Sequence, residues 1–429
     1  MTISLTPFQR HSSAASAAGR SAWSVPARCW PHLRQVRATP TPGHGGYTAF
    51  AFDVAERMGH SSGYPENLIR MKTYFHASLF AFGLACSTFA DKVDDAALRS
   101  LAERQVPGAS IAIIRSGTVS ARTYGTLEKG GSVKVNPDTL FQAASISKPL
   151  TAMATLRLVQ EGRLSLDQDI NELLSGWKLP QGSFHARVTI RMILSHTAGI
   201  TVSGVEGYEM GEPLPNLIQI LNGVPPAKNP AIVVDTEPGT KYRYSGGGYI
   251  VLQQLLSEKS GVPFSEFMNK TILSPLHMAR STYEQPLSTN WVGNAATGYD
   301  RKGNPVKGRW HIYPELAPAG LWTTPTDLAK FALEVGASLN GKADHILKPE
   351  MARLMVTSVL GPHGLGLEAH NEGKAFRFRH DGANRGYRCR LLFYPNLGEG
   401  VVIMTNGGRG DEVIVDVMQA LRSEYSWPQ

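Results

Sequence analysis

Ser145 and Lys148 are the pair in this 429-residue chain whose types and spacing could carry chemistry. Residues three apart on a helix share a face, so the Lys148 amine can reach the Ser145 hydroxyl and draw its proton away. A serine activated in this way is a nucleophile. The apolar residues Leu150, Met153, Leu156 and Val159 recur at three- and four-residue steps as far as Gly162, which predicts a helix with one buried face. Ser145 is expected to cap it. Pro149 is tolerated because the first helical N–H groups have no partner within the helix, and the same helix start favours negative charge near the serine.

S-x-x-K alone is a weak signal, and Ser175-Gly176-Trp177-Lys178 repeats it. The second copy precedes Pro180 and a Gly/Ser loop, so it reads as a helix end entering a turn. A serine nucleophile also needs a partner for its proton and donors for the oxyanion. Thr240-Lys241-Tyr242-Arg243-Tyr244-Ser245-Gly246-Gly247-Gly248-Tyr249 places Tyr244 on a loop just before a helix, where a phenol can point into a cleft. Arg379-His380-Asp381-Gly382-Ala383-Asn384-Arg385-Gly386 reads as a strand-edge segment whose glycines let a substrate approach the backbone. His196 ends a helix predicted from Ile190, with Gly199 in the capping position, and reads as a structural hydrogen-bonder.

The three stretches, in this order, resemble the S-x-x-K, Y-x-N and K-T-G elements of class C β-lactamases, D,D-peptidases and the related carboxylesterases. Ser195-His196-Thr197-Ala198-Gly199 and Ala319-Gly320-Leu321-Trp322-Thr323-Thr324-Pro325-Thr326-Asp327-Leu328 look like structural signatures of the same family. The resemblance runs from about Val106 to Leu421. It implies that Ser145 is the acylated nucleophile and Lys148 its base. Tyr244 would relay the proton to the leaving group and later activate the deacylating water. The N–H groups of Ser145 and Ala383 would form the oxyanion hole, His380 would orient Tyr244 or the substrate, and Gly382 and Arg385 would join it in binding substrate.

Two departures shape the expectation. Gly246 stands where the family usually has an Asn that binds the substrate amide, and His380 replaces the lysine whose fixed charge meets a substrate carboxylate. Arg385 or Arg388 could compensate. Tyr394-Pro395-Asn396 fits Y-x-N literally but follows the third stretch, and is set aside. The resemblance thus implies a metal-free, cofactor-free serine hydrolase that forms an acyl-enzyme on ester, amide or β-lactam carbonyls. Small acyl esters and D-amino-acid peptides are its expected substrates, with weak β-lactam hydrolysis as a side reaction. A class C-like β-lactamase is the alternative. A non-catalytic penicillin-binding or scaffolding protein is the alternative from another class.

The elements that must hold these residues are an α+β set. Ala109 to Arg115 and Val119 to Tyr124 form a hairpin, and Phe376 to Arg379, Tyr387 to Tyr394 and Gly400 to Thr405 are strands near the other end. Helices are expected over Asp94 to Ala102, from Tyr249 to Gly261, after Thr326, and from Glu412 to Tyr425. One antiparallel sheet from both chain ends, flanked by helices and fed by a mostly helical insertion over 161–314, follows. The parts 91–160 and 315–429 would make the α/β half.

Composition, at 42% hydrophobic and 18% charged, is that of a globular chain. The net charge of +8 does not mark a nucleic-acid partner, because the first 70 residues carry seven Arg against Asp53, Glu56 and Glu66 and no basic stripe follows. Those residues are rich in Ser, Ala, Pro and Gly and are expected to be disordered or untranslated. Met71-Lys72-Thr73, the apolar run Tyr74 to Cys86 and the small-residue site before Asp91 have the three parts of a secretory signal over 71–90, so a periplasmic or secreted protein is expected. Of Cys29, Cys86 and Cys389 only the last would remain, as a small buried hydrophobe in a strand. No stable membrane span is expected, and the oligomeric state is open. Gly336 to Lys342 imitates a phosphate loop but lacks its Ser/Thr, and neither H-E-x-x-H nor G-x-S-x-G occurs.

Overall fold

The computed structural model describes residues 91–184, 187–341, 346–370 and 372–428. The expected leader over 71–90, the segment before it, Cys29 and Cys86 lie outside the described residues. From Asp91 the chain forms α1 (Lys92–Arg104), β1 (Gly108–Arg115), β2 (Thr118–Gly125), β3 (Phe141–Gln142), α2 (Ser147–Gln160), α3 (Ile190–Leu194), α4 (Gly246–Ser260), α5 (Leu316–Ala319), β4 (Trp322–Thr323), α6 (Pro325–Leu339), β5 (Glu368–His370), β6 (Arg377–Asn384), β7 (Tyr387–Tyr394), β8 (Glu399–Thr405) and α7 (Gly410–Tyr425), with further short helices between.

The main sheet has the order β2-β1-β8-β7-β6-β5, every neighbouring pair antiparallel. The two chain ends therefore meet at the β1–β8 pair, where Ala109 faces Thr405 and Ile114 faces Gly400. Alternation along each strand divides the core. Ile111, Ile113, Val401 and Ile403 pack beneath α1 and α7 with Val93, Ala97, Val413 and Val417. Ala112, Ile114, Val402, Met404 and Phe393 turn to the other face, under Leu328, Phe331 and Val335 of α6. Both faces are covered, which is why these strands read as nearly continuous apolar runs.

Between β3 and β4 the described residues hold helices, loops and isolated bridges, the expected helical insertion. The helix α2 departs from expectation. Its spacing predicts one buried face, yet all but its last turn is buried, because α4, α5 and the helices Asn269–Leu273 and Pro349–Val356 pack around it. Small residues make that possible: Ala152, Ala154, Thr151 and Thr155 allow close approach, and the two threonines return their hydroxyls to carbonyls one turn back. Strand β6 is also longer than predicted, so His380, Gly382 and Ala383 lie within a paired strand. Among the described residues no helix is long and apolar enough to cross a membrane.

Candidate active site

Ser145 does not cap α2. It sits in a single tight turn, Ala144–Ile146, ahead of the helix, and the first helical position is preceded by Ile146 without a side-chain cap. The turn is held from both sides instead. Ser147 Oγ donates to the Ala144 carbonyl at 2.6 Å and accepts from the Leu321 N–H at 3.1 Å, while the Ala143 N–H reaches the Leu321 carbonyl at 2.9 Å. These bonds keep Ala144 at φ 51°, a left-handed conformation costing an alanine about 1–2 kcal/mol. The strain lifts Ser145 out of the core, so the serine is half-buried between fully buried neighbours.

Lys148 Nζ lies 3.0 Å from Ser145 Oγ and 3.1 Å from the Pro318 carbonyl. Its side chain is buried, and burial pulls its pKa from 10.5 down to about 7. A substantial fraction of neutral amine is therefore present near neutral pH, and only the neutral form can accept a proton. The same amine stands 4.9 Å from the centre of the Tyr244 ring. Burial pushes the Tyr244 phenol well above its ordinary value, and contact with the Ser145 side chain works the other way. Serine, lysine and tyrosine thus lie together at one site.

Tyr244 precedes Ser245, whose Oγ accepts from the Gly248 N–H at 3.0 Å and caps α4. Gly246 and Gly247 donate their N–H groups to the carbonyls of Ser203 and Val202, and a Cβ at Gly247 would lie 2.5 Å from the Thr201 carbonyl. The glycines therefore let the 201–203 loop close over the helix start. At Gly246, where an Asn was expected from the resemblance, a side chain would point at Ser203 O, 3.2 Å from its Cβ.

His196 is structural, as its position suggested, but by a different route. The left-handed residue that ends α3 is His196 itself, at φ 57°, with N–H bonds from His196 to Ile193 O and from Thr197 to Met192 O. Gly199 lies further on, where any Cβ would meet Thr236 O at 2.0 Å. The turned imidazole accepts the Ser245 N–H at 3.1 Å on Nδ1 and lies 4.3 Å from the Tyr244 ring. It supports the tyrosine from behind.

Strand β6 closes the site. Ser145, Tyr244, His380, Gly382, Ala383 and Arg388 line one cleft of about 530 Å³, with Glu368 at its side. Ala383 and Ser145 therefore share this cleft. His380 is buried and its Nδ1 meets the Asp381 carbonyl at 2.7 Å; a carbonyl only accepts, so Nδ1 carries the proton. Burial, then the charges of His363 and Lys148, lower its pKa to about 3, so it is neutral at physiological pH. Its ring is 6.4 Å from that of Tyr244. Arg385 is not among the lining residues; its N–H is held by the Tyr313 hydroxyl at 2.9 Å.

Gly382 lines the cleft and also meets a neighbouring backbone. A Cβ there would lie 2.2 Å from the Ala143 carbonyl, so its bareness admits the segment that leads to Ser145. Gly382→Ala is expected to cost about 2–3 kcal/mol, the scale of an overpacked core, because the obstructing atom is backbone. Urea denaturation beside the parent measures it, and an unchanged midpoint would contradict the contact.

Sequence reasoning missed His363. It is buried, its Nδ1 is 3.0 Å from the Tyr242 hydroxyl, and its ring stands 5.9 Å from both Tyr244 and His380. Its only local signal is a histidine set among glycines in Gly361-Pro362-His363-Gly364. The second S-x-x-K is as read: Lys178 Nζ donates to the carbonyls of Asn171 and Leu174. Gly336 lies inside α6 against Phe393, and Cys389 is a free, buried thiol on β7. Among the described residues no cluster of His, Cys, Asp and Glu has the form of a metal site.

The fold and the serine-lysine-tyrosine geometry define a class, and comparison with known proteins gives the same one. A structure of the octameric penicillin-binding protein homologue from Pyrococcus abyssi superposes with a TM-score of 0.62 at 26% identity, over 78% of this chain and 77% of that one. A structure of SurE with D-Leu gives 0.61 at 25% identity, over 78% and 75%. Penicillin-binding protein 4 of Amycolatopsis lactamdurans is 27% identical over 345 residues, 76% of this chain and 87% of that protein. The Beta-lactamase family model matches residues 89–422, and the chain belongs to that family.

Proposed function

We propose that this chain is a serine hydrolase that forms an acyl-enzyme on Ser145 with ester or amide carbonyls, with D-amino-acid peptides and small acyl esters as its substrates. The observation that carries the reading is the buried Lys148 amine, 3.0 Å from Ser145 Oγ and lowered to about 7. Ser145 Oγ attacks the carbonyl carbon as its proton passes to Lys148. The N–H groups of Ser145 and Ala383 hold the oxyanion, which collapses to an ester on Ser145 as Tyr244 delivers a proton to the leaving alcohol or amine. Water then attacks the ester, its proton taken through the same lysine and tyrosine, and the acid is released.

D-amino-acid substrates are favoured by the structural likeness to SurE, whose structure holds D-Leu. A specialised β-lactamase is disfavoured, because neutral His380 supplies no fixed charge for the β-lactam carboxylate. The test is intact-mass analysis of the purified full chain with a short-chain nitrophenyl ester, a D-Ala-D-Ala peptide and a chromogenic cephalosporin. A transient acyl adduct on Ser145 with turnover of ester or peptide is expected. A burst without turnover on all three would identify a binding protein instead. Export through 71–90 remains part of the proposal, since cell-wall peptides lie outside the cytoplasm.

Tyr244→Phe keeps the ring against His196 and removes the hydroxyl. Turnover is expected to fall about 100- to 10,000-fold, the range for a lost general acid-base group. Acylation by an ester should suffer less than by an amide, because the amine must be protonated to leave. Stopped-flow rates on matched ester and amide measure the difference.

A further inference from the structure

A short strap, 314–319, built around α5, bridges α2, which carries Lys148, and α4, the helix that follows Tyr244. Its carbonyls serve the site in turn: Ala317 O accepts Thr151 Oγ1 at 3.1 Å, Pro318 O accepts Lys148 Nζ at 3.1 Å, and Ala319 O accepts Asn384 Nδ2 at 3.2 Å. Behind it lies Gln253, buried on α4, seven residues after the helix begins at Gly246. Its Nε2 donates to the Pro314 carbonyl and its Oε1 accepts the Ala317 N–H, both at 3.0 Å. One side chain therefore grips the strap on each side of Glu315 and Leu316.

We propose that Gln253 is a positioning residue: by clamping 314–317 to α4 it fixes the Pro318 carbonyl, and through it the place of the Lys148 amine between Ser145 and Tyr244. The inference rests on the roles proposed above for those three residues. An amide is the side chain for this task, because one end must donate to a carbonyl and the other accept from an N–H without adding charge to the core. Gln253 is not among the residues lining the cleft, so it acts on the geometry of the reacting groups rather than on substrate.

Several titrating groups surround the amine. The rings of Tyr244 and Tyr249 lie 4.9 and 5.9 Å from it, while His196, His363 and His380 are held neutral by burial. Glu315, on the strap itself, is pushed up to about 7 by burial and must be separated from Lys148. Glu315→Gln serves as that control.

In the full chain, Gln253→Met is expected to lower kcat about 10- to 100-fold with little change in KM, the cost of misplacing a reacting group by about 1 Å. The Lys148 titration, followed by NMR of carbon-13-labelled lysine side chains, should move upward toward the ordinary value, because a loosened strap lets water reach an amine that burial holds down. The shift should persist in a Glu315→Gln background. Gln253→Glu, which can still accept the Ala317 N–H, should fall between. A folded Gln253→Met with parental kcat and lysine titration, or one that loses only thermal stability, overturns the proposal. Should that variant not fold, Thr151→Val cuts the strap's tie to α2 and decides the matter by the same two readings. If the parent forms no Ser145 adduct, the proposed reaction fails, while the lysine titration still decides whether Gln253 places the amine.

Discussion

Ser145→Ala is expected to lower kcat/KM at least about 10,000-fold on whichever ester or peptide the parent hydrolyses, leaving only what binding and the oxyanion donors supply. That is about 5.5 kcal/mol of transition-state stabilisation, far more than any contact the hydroxyl makes in the resting site. The fold should hardly notice. Ser145 is half-buried, and Lys148 keeps its second acceptor, the Pro318 carbonyl. The turn is held by Ser147 and Leu321 rather than by the nucleophile. Parallel denaturation curves and initial rates check both halves. Ser175→Ala is the matched control, since its lysine is committed to the carbonyls of Asn171 and Leu174. A Ser145→Ala protein with more than a tenth of parental activity would remove the mechanism.

The nearness of Ser145 and Lys148 was legible because their relation is local. Three residues of spacing at a helix start keep Ser145 within reach of Lys148, while bonds from Leu321 set the turn that carries the serine. Even so, the serine's own conformation was misread. Capping statistics favour Ser at a helix start, whereas the bonds that strain Ala144 come from Leu321, more than 170 residues away. The sheet was legible for a related reason. Ile111 to Ile114 and Val401 to Met404 are apolar on both faces, and only strands covered on both sides tolerate that.

His363 and Gln253 show where legibility stops. Each has ordinary sequence neighbours, and each matters through groups far along the chain, Tyr242 for one and Pro314 with Ala317 for the other. Gly382 was noticed as a place of close backbone approach, and the Ala143 carbonyl is a group that makes that approach. A missing side chain reveals that something comes near, not what. Only the register that sets β6 against Ala143 identifies it.

Lys148→Met is expected to destroy activity and stabilise the protein. The variant removes the base, so kcat/KM should fall about 1,000-fold or more, and the limb that rises with pH through about 7 in the parent should vanish. Its effect on folding follows from the same burial. In the unfolded chain the amine keeps its ordinary value of 10.5, while in the folded protein it is held at about 7. Between those values the unfolded state binds a proton that the folded state does not, so parental stability rises with pH across that window, is level above it, and below it carries the full penalty. The interval corresponds to about 5 kcal/mol. Methionine fills a similar volume without that cost, but it leaves the Pro318 carbonyl without its donor, a loss of about 1–3 kcal/mol. The net gain should be about 2–4 kcal/mol near pH 7, shrink to nothing between about pH 8 and 10, where the remaining penalty equals the lost hydrogen bond, and reverse above that. Denaturation of both proteins across pH 6 to 11 measures the crossing. A variant less stable than its parent at neutral pH would show that the amine is not the strained, desolvated group on which the activation of Ser145 depends.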